Sequence, residues 1–82
     1  MPTDNDITRL LNTMNAHLPE STKNQAFMVV MGLSAGRLAE VRKDDLTATQ
    51  NALWHALPPG HEAHGVLYRL WRYNYVSQML AA

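Results

Sequence analysis

The chain has 82 residues and no cysteine, and its seven Lys and Arg side chains balance seven Asp and Glu, so its formal net charge is zero at pH 7. This length fits one domain, whose own core supplies about 3–5 kcal/mol, and without cysteine neither a disulfide nor a thiolate metal site can add to it. A zero net charge disfavours proteins that bind nucleic acid or a membrane surface, which usually carry a basic excess. We therefore expect stabilisation by oligomerisation or partner binding, and predict a homodimer.

The segment MPTDNDITRL at the start is polar and acidic, unlike a secretory signal peptide. The longest apolar stretch, Ala26–Leu33, is too short to span a bilayer. These features predict a cytoplasmic protein that makes no membrane contact.

The first predicted helix runs from about Asp4 to His17. Thr3 and Asp6 have the spacing of a capping box, in which the two residues satisfy each other's backbone N–H groups. Apolar residues then recur at helical spacing: Ile7, Leu10, Leu11, Met14 and Leu18. Pro19 ends the helix because a residue before proline is disfavoured in the α region.

The second predicted helix begins at a similar box, Thr22-x-x-Gln25, and runs to about Arg42. Its sequence is apolar nearly all round, which is typical of a central helix or a dimer interface. Its two glycines each cost about 1 kcal/mol relative to alanine, so we expect them to admit a close neighbour. The predicted helix–helix contact consists of Met28, Gly32, Ala35, Gly36 and Ala39. Alternatively, the helix stops at Gly32 and restarts after Ser34.

The third predicted helix covers Leu46 to Ala56, with Asp44 or Asp45 as its cap. Its leucines share one face, with a tryptophan beside them: Leu46, Leu53, Leu57 and Trp54. No glycine or proline interrupts the charged segment before it, so one continuous helix with the second is an alternative. Pro58-Pro59-Gly60 closes this part of the chain.

The last predicted helix, from about Glu62 to Leu80, has two apolar stripes. The first comprises Val66, Leu70, Tyr73, Ser77 and Leu80, and the second Leu67, Tyr68, Trp71, Tyr75 and Met79. One stripe suffices to join a small bundle, so the second is surplus to a monomer. Trp, Tyr and Arg are enriched at interface hot spots. We predict a protein interface formed by Tyr68, Arg69, Trp71, Arg72, Tyr75 and Met79. There are two alternatives. About half of these side chains could simply pack in the core, or the aromatic rings could stack on single-stranded nucleic acid.

A helix-turn-helix can be laid on Asn24–Val41, with Gly32 at the turn and Ser34 capping the second helix. Its DNA contacts would be Arg37, Arg42 and Lys43. The pattern would expose Val29 and Val30 on the first helix, which weakens this interpretation.

Metal binding and catalysis find little support. His61-x-x-His64, with Glu62 and His55 nearby, lacks the four-residue spacing of the usual two-histidine helical zinc motif, so we expect solvated loop residues or caps and no metal. The chain has no cysteine nucleophile and no phosphate-binding glycine loop. We expect neither enzymatic activity nor a cofactor.

The sequence as a whole predicts an all-α bundle of three to four helices, with helices 2 and 3 either separate or continuous, assembled as a homodimer. The predicted function is a small non-enzymatic regulatory protein that binds another protein as an inhibitor, antiactivator or adaptor. Small neutral proteins of this kind include antiactivators of bacteria and phages. The alternative is a small helix-turn-helix transcriptional regulator that binds DNA.

Overall fold

A computed structural model describes residues 2–81, which form four α-helices and one short 3₁₀ helix. The elements in chain order are α1 (Asp4–His17), α2 (Glu20–Ser34), the 3₁₀ helix (Leu38–Glu40), α3 (Lys43–Ala56) and α4 (Glu62–Ala81). No strand occurs in this part of the chain. The prediction of an all-α bundle is confirmed.

Helix α1 has the predicted bounds and the predicted capping box. The Asp6 N–H donates to Thr3 Oγ1 at 3.1 Å, and the Thr3 N–H donates to the Asp6 carboxylate at 3.0 Å. These donors and the Arg9 guanidinium, 2.8 Å away, lower the pKa of Asp6, with the Thr3 backbone N–H as the largest cause. The helix ends at His17, and its C-cap residue Leu18 has an extended backbone before Pro19.

Helix α2 begins two residues before the predicted capping box, so that prediction is wrong. Pro19 is the N-cap residue, and the Thr22 hydroxyl donates to the Pro19 carbonyl at 3.2 Å instead of accepting from Gln25. Proline has no N–H to satisfy and its ring fixes φ near the helical value, so a helix can begin directly after it.

The C-terminus of α2 is a Schellman motif. Gly36 has a φ of +73°, and its N–H donates to the Leu33 carbonyl at 3.0 Å. The Arg37 N–H donates to the Gly32 carbonyl at 2.9 Å, which completes the motif. The prediction that this helix runs to about Arg42 is wrong because Gly36 takes a left-handed conformation that ends it, and α2 and α3 are separate helices.

The predicted helix–helix contact is therefore divided among three parts of the chain. Met28 and Gly32 lie on α2, Ala35 and Gly36 form its end, and Ala39 lies in the 3₁₀ helix. Gly32 does admit a close neighbour, but within this chain: a Cβ there would lie 2.9 Å from Cγ2 of Val41.

Helix α3 begins earlier than predicted, at Lys43, with Arg42 as a cap residue that makes no side-chain hydrogen bond. Neither Asp44 nor Asp45 is the cap; both lie in the first turn, where negative charge favours the positive end of the helix dipole. Asp45 also links α3 to α2, because Gln25 Nε2 donates to its carboxylate at 2.7 Å.

The core lies where the four helices meet. Val29 and Val30 are both buried there, although the helix-turn-helix pattern would expose them. The buried apolar residues are Leu10, Met14, Leu18, Ala26, Val29, Val30, Leu33, Leu46, Leu53, Leu57, Ala63, Val66, Leu67 and Leu70. The buried residues of α4 define the side of that helix that faces inward.

Two side-chain amides attach the second half of α4 to the end of α2 and to the 3₁₀ helix. Asn74 is only 2% exposed, and its Nδ2 donates to the carbonyls of Leu33 and Leu70, both at 2.8 Å. One turn later, the Gln78 oxygen accepts from the N–H groups of Leu38 (3.1 Å) and Ala39 (3.2 Å) in the amide orientation that satisfies both. These contacts hold α4 against both α2 and the 3₁₀ helix.

The side of α4 that faces the core differs from the first predicted stripe. Val66 and Leu70 are buried as that stripe requires, but Tyr73 is 42% exposed and Leu80 is 84% exposed. The inward side includes Leu67 and Asn74 instead. The sequence-based stripe therefore omitted the polar residue Asn74, which is part of the inward face.

Candidate protein interface on the last helix

The outward side of α4 carries large apolar and aromatic side chains together with two arginines. We call it the aromatic–arginine face, and it consists of Tyr68, Arg69, Arg72, Tyr73, Tyr75, Val76, Met79 and Leu80, with the half-buried Trp71 at its edge. Its apolar members are between 42% and 84% exposed. Large exposed apolar patches are typical of interaction sites, which makes this face a candidate interface.

Five of the six residues predicted for the interface are exposed on this face in the structure. The sixth, Trp71, is half-buried and lies at its edge. Sequence reasoning missed Tyr73, Val76 and Leu80. Their spacing from Arg69 and Arg72 follows the helical period, and that pattern is the signal that could have placed them on one surface.

Three aromatic rings form a ladder along the face. The ring centroids of Tyr68 and Trp71 are 6.0 Å apart, and those of Trp71 and Tyr75 are 5.5 Å apart with 22° between the ring planes. Each ring restricts the rotamers of its neighbour, so a partner that binds here immobilises little additional side-chain freedom. The ladder therefore presents a preorganised apolar surface.

The face is also cationic. Arg69 and Arg72 are both exposed, and no acidic residue follows Glu62 in the sequence. Neither arginine has a carboxylate within 4.0 Å among residues 2–81. Both guanidinium groups are therefore available to an incoming partner.

A groove of about 270 Å³ runs beside the ladder, between α3 and α4. Its lining residues are Lys43, Leu46, Thr47, Gln50, Tyr68 and Trp71. Two rings of the ladder and a lysine are among its lining residues. The groove could therefore accommodate an apolar side chain, with a positive charge at its edge.

A second exposed apolar surface lies on α2 and the 3₁₀ helix. Met28 is 75% exposed and Met31 is 58% exposed, and both border a groove of about 420 Å³. We call it the methionine groove; its lining is Met28, Met31, Gly32, Ala35, Arg37, Glu40 and Val41. Its two charges lie 3.7 Å apart as an ion pair, so the groove is close to neutral.

Comparisons with models of protein families, with curated proteins and with solved structures found no match to this chain. The chain's own surfaces therefore carry the functional conclusion. Within residues 2–81, none of the helices combines the length and the hydropathy needed to cross a membrane.

The helix-turn-helix prediction does not match the geometry of the chain. Gly32 lies inside α2, and residues 35–42 contain only a three-residue 3₁₀ helix where the recognition helix would be. Two of the predicted DNA contacts have carboxylate partners: Arg37 with Glu40 at 3.7 Å and Arg42 with Asp44 at 3.9 Å. The third, Lys43, borders the groove between α3 and α4.

The histidines near Pro58-Pro59-Gly60 have structural contacts. His61 Nδ1 accepts from the Ala63 N–H at 3.1 Å, at the start of α4. The His64 ring meets Trp54 edge-on at 5.5 Å, and burial, followed by the charge of His61, lowers its pKa. Among residues 2–81, no three His, Cys, Asp or Glu side chains converge as a metal site would require.

Proposed function

We propose that this chain is a small non-enzymatic regulatory protein that binds another protein, as an inhibitor, antiactivator or adaptor, through the aromatic–arginine face of α4. The observation that carries the proposal is the ladder of Tyr68, Trp71 and Tyr75, in which both tyrosines are exposed and Trp71 is half-buried. Arg69 and Arg72 lie on the same face, and neither has a carboxylate within 4.0 Å among residues 2–81. Trp, Tyr and Arg dominate binding hot spots because they bury large areas and keep a polar group at the rim.

Regulation of this kind needs no chemistry in the chain itself. By covering a helix or groove of its target, the face would block or bridge a contact that the target makes elsewhere. The half-buried Trp71 also packs against the core, so the ladder is supported from beneath. A surface fixed in this way is suited to binding with little rearrangement.

We also propose that two copies of the chain pair through the methionine groove, giving a homodimer that leaves α4 free. The groove is apolar and its two charges compensate each other, so two copies can meet there without unbalanced charge. Methionine side chains are flexible and repack easily against a symmetric copy. Pairing through α4 is disfavoured, because a two-fold contact would bring the arginines of one copy close to those of the other.

The test is a pull-down from native extract with nuclease treatment, with the wild-type chain and three variants as baits: Trp71→Ala, Tyr75→Ala and Met31→Glu. Tyr75→Ala should lower affinity for the captured protein about 30-fold, or about 2 kcal/mol, if Tyr75 is a hot spot. Met31→Glu is the matched control on the other surface: it should shift the dimer to monomer in sedimentation and leave partner binding intact.

A captured protein that binds Tyr75→Ala and Trp71→Ala as well as wild type would contradict the proposal. Nucleic acid in the untreated eluate, with no protein partner and with binding lost at moderate salt, would favour the DNA-binding alternative, because such binding releases counterions and weakens steeply with salt.

A further inference from the structure

We propose that the partner segment seated on α4 is an acidic amphipathic helix, which places an apolar side chain in the groove between α3 and α4 and carboxylates against the surrounding cations. This inference rests on the proposed function and names the chemistry of its partner.

The distribution of ion pairs carries the charge part of the proposal. Four of the chain's seven Lys and Arg residues have a carboxylate within 4.0 Å: Arg9, Lys23, Arg37 and Arg42. The other three, Lys43, Arg69 and Arg72, have none among residues 2–81. All three lie on or beside the aromatic–arginine face. Within residues 2–81, the Lys and Arg side chains without a carboxylate partner are thus the three that border one apolar surface, and a partner with acidic groups would complete the pairing.

The shape of the surface favours a helix as the partner segment. The ladder follows one side of α4 for two turns, and the groove runs beside it between two helices. A helix laid in such a groove presents side chains at positions i, i+3, i+4 and i+7 along one face. An apolar residue at one of these positions can enter the groove beside Trp71 while an acidic neighbour approaches Lys43 at its edge. Acidic residues elsewhere on the partner helix can approach Arg69 and Arg72, which line a separate groove on the aromatic–arginine face.

Single-stranded nucleic acid is also acidic, and its bases stack on aromatic rings. The geometry of the ladder disfavours it. Trp71 and Tyr75 already stack on each other, with 22° between their planes, so the ring surfaces that a base would need are partly occupied. Apolar side chains can pack against the remaining ring edges.

The experiment is a selection from a display library of helical peptides with randomised outward positions, performed on wild-type protein. Wild type should enrich peptides that combine Asp or Glu with Leu, Phe or Trp at helical spacing. Affinity of a synthesised, selected peptide should fall about tenfold, or about 1.4 kcal/mol, for the double variant Arg69→Glu/Arg72→Glu. The control variant Arg9→Glu/Arg42→Glu changes net charge equally, away from both the aromatic–arginine face and the methionine groove. It should keep at least half of the affinity, and circular dichroism checks the fold of both double variants.

The outcomes separate this inference from the proposed function. Selected peptides without acidic excess, whose binding requires Tyr75 but neither arginine, would overturn the acidic partner and leave protein binding in place. Equal losses for both double variants would also overturn it, because net charge alone would then explain binding. If no selected peptide depends on Tyr75, both proposals fail. Oligo(dT) that displaces the peptide and binds more tightly, with the same arginine dependence, would replace the helix by single-stranded nucleic acid.

Discussion

Asn74 joins α4 to the end of α2, and the substitution Asn74→Asp tests that junction with almost no change in shape. Both hydrogens of the Asn74 amide are used, in bonds of 2.8 Å to the Leu33 and Leu70 carbonyls. An ionised aspartate has acceptors only. At this position, one of its oxygens would face two carbonyl oxygens at hydrogen-bond distance, in a site where the side chain is 2% exposed.

The expected loss of stability is large for a chain of this size. Two hydrogen bonds at about 0.5–1.5 kcal/mol each amount to about 1–3 kcal/mol, and burying an unpaired carboxylate adds a desolvation cost. Domains have about 0.05–0.15 kcal/mol of stability per residue, so a chain this long has roughly 4–12 kcal/mol in total. Asn74→Asp should therefore remove a substantial fraction of the free energy of unfolding at pH 7.

The loss should depend on pH with a definite sign. Burial without a cation raises the folded-state pKa of the new carboxyl above its unfolded value of about 3.9. The variant is then least destabilised below that unfolded pKa, where the acid is neutral and can donate one hydrogen bond. The deficit grows as the pH rises through the folded pKa.

Urea denaturation at about pH 4 and pH 7 provides the assay, with Asn74→Ala as the control. The alanine variant loses the same two bonds but carries no charge, so its deficit should be nearly independent of pH. The Leu33 carbonyl stays satisfied in both variants because it also accepts from the Gly36 N–H. An aspartate variant as stable as wild type at pH 7, or one whose deficit is the same at both pH values, would refute this reasoning.

Two further predictions concern backbone conformation and histidine titration. Gly36→Ala and Gly60→Ala should each lower the free energy of unfolding by about 1–2 kcal/mol, because both glycines have φ above +70° and a side chain disfavours that region; urea denaturation that shows no loss for either would contradict this. Burial and the charge of His61 place the folded pKa of His64 below its unfolded value, so its neutral form contributes stability above about pH 6.5 that is lost as the pH falls through the folded pKa. Melting between about pH 7.5 and 5 should therefore show less acid destabilisation for His64→Phe than for wild type. The same pH dependence in both proteins would be the contrary result.

The parts of the fold that depend on neighbouring residues could be predicted from the sequence. Thr3 and Asp6 define the start of α1, and Pro19 defines its end, so both bounds follow from local rules. The end of α2 could not be settled in this way. A glycine within an apolar segment fits either a helix interior or a left-handed cap, and only the positive φ of Gly36 distinguishes them.

The orientation of α4 depends on contacts that are distant in sequence. Both of its stripes are apolar, so hydrophobic periodicity alone did not decide which one faces inward. The decisive contact is the Asn74 hydrogen bond to Leu33, 41 residues away, from a polar side chain that no apolar pattern includes. The tyrosines and arginines of the predicted interface, in contrast, could be identified as surplus to the core from their number and clustering.

The most direct measurement of the central proposal is the NMR footprint of the captured partner on isotope-labelled chain. We expect the largest chemical-shift changes at outward residues of α4, from Tyr68 to Met79, and at the indole N–H of Trp71. Met28 and Met31 on the methionine groove should be unchanged by the partner. A footprint on α1 or the methionine groove that leaves the α4 residues unshifted would contradict the proposed interface.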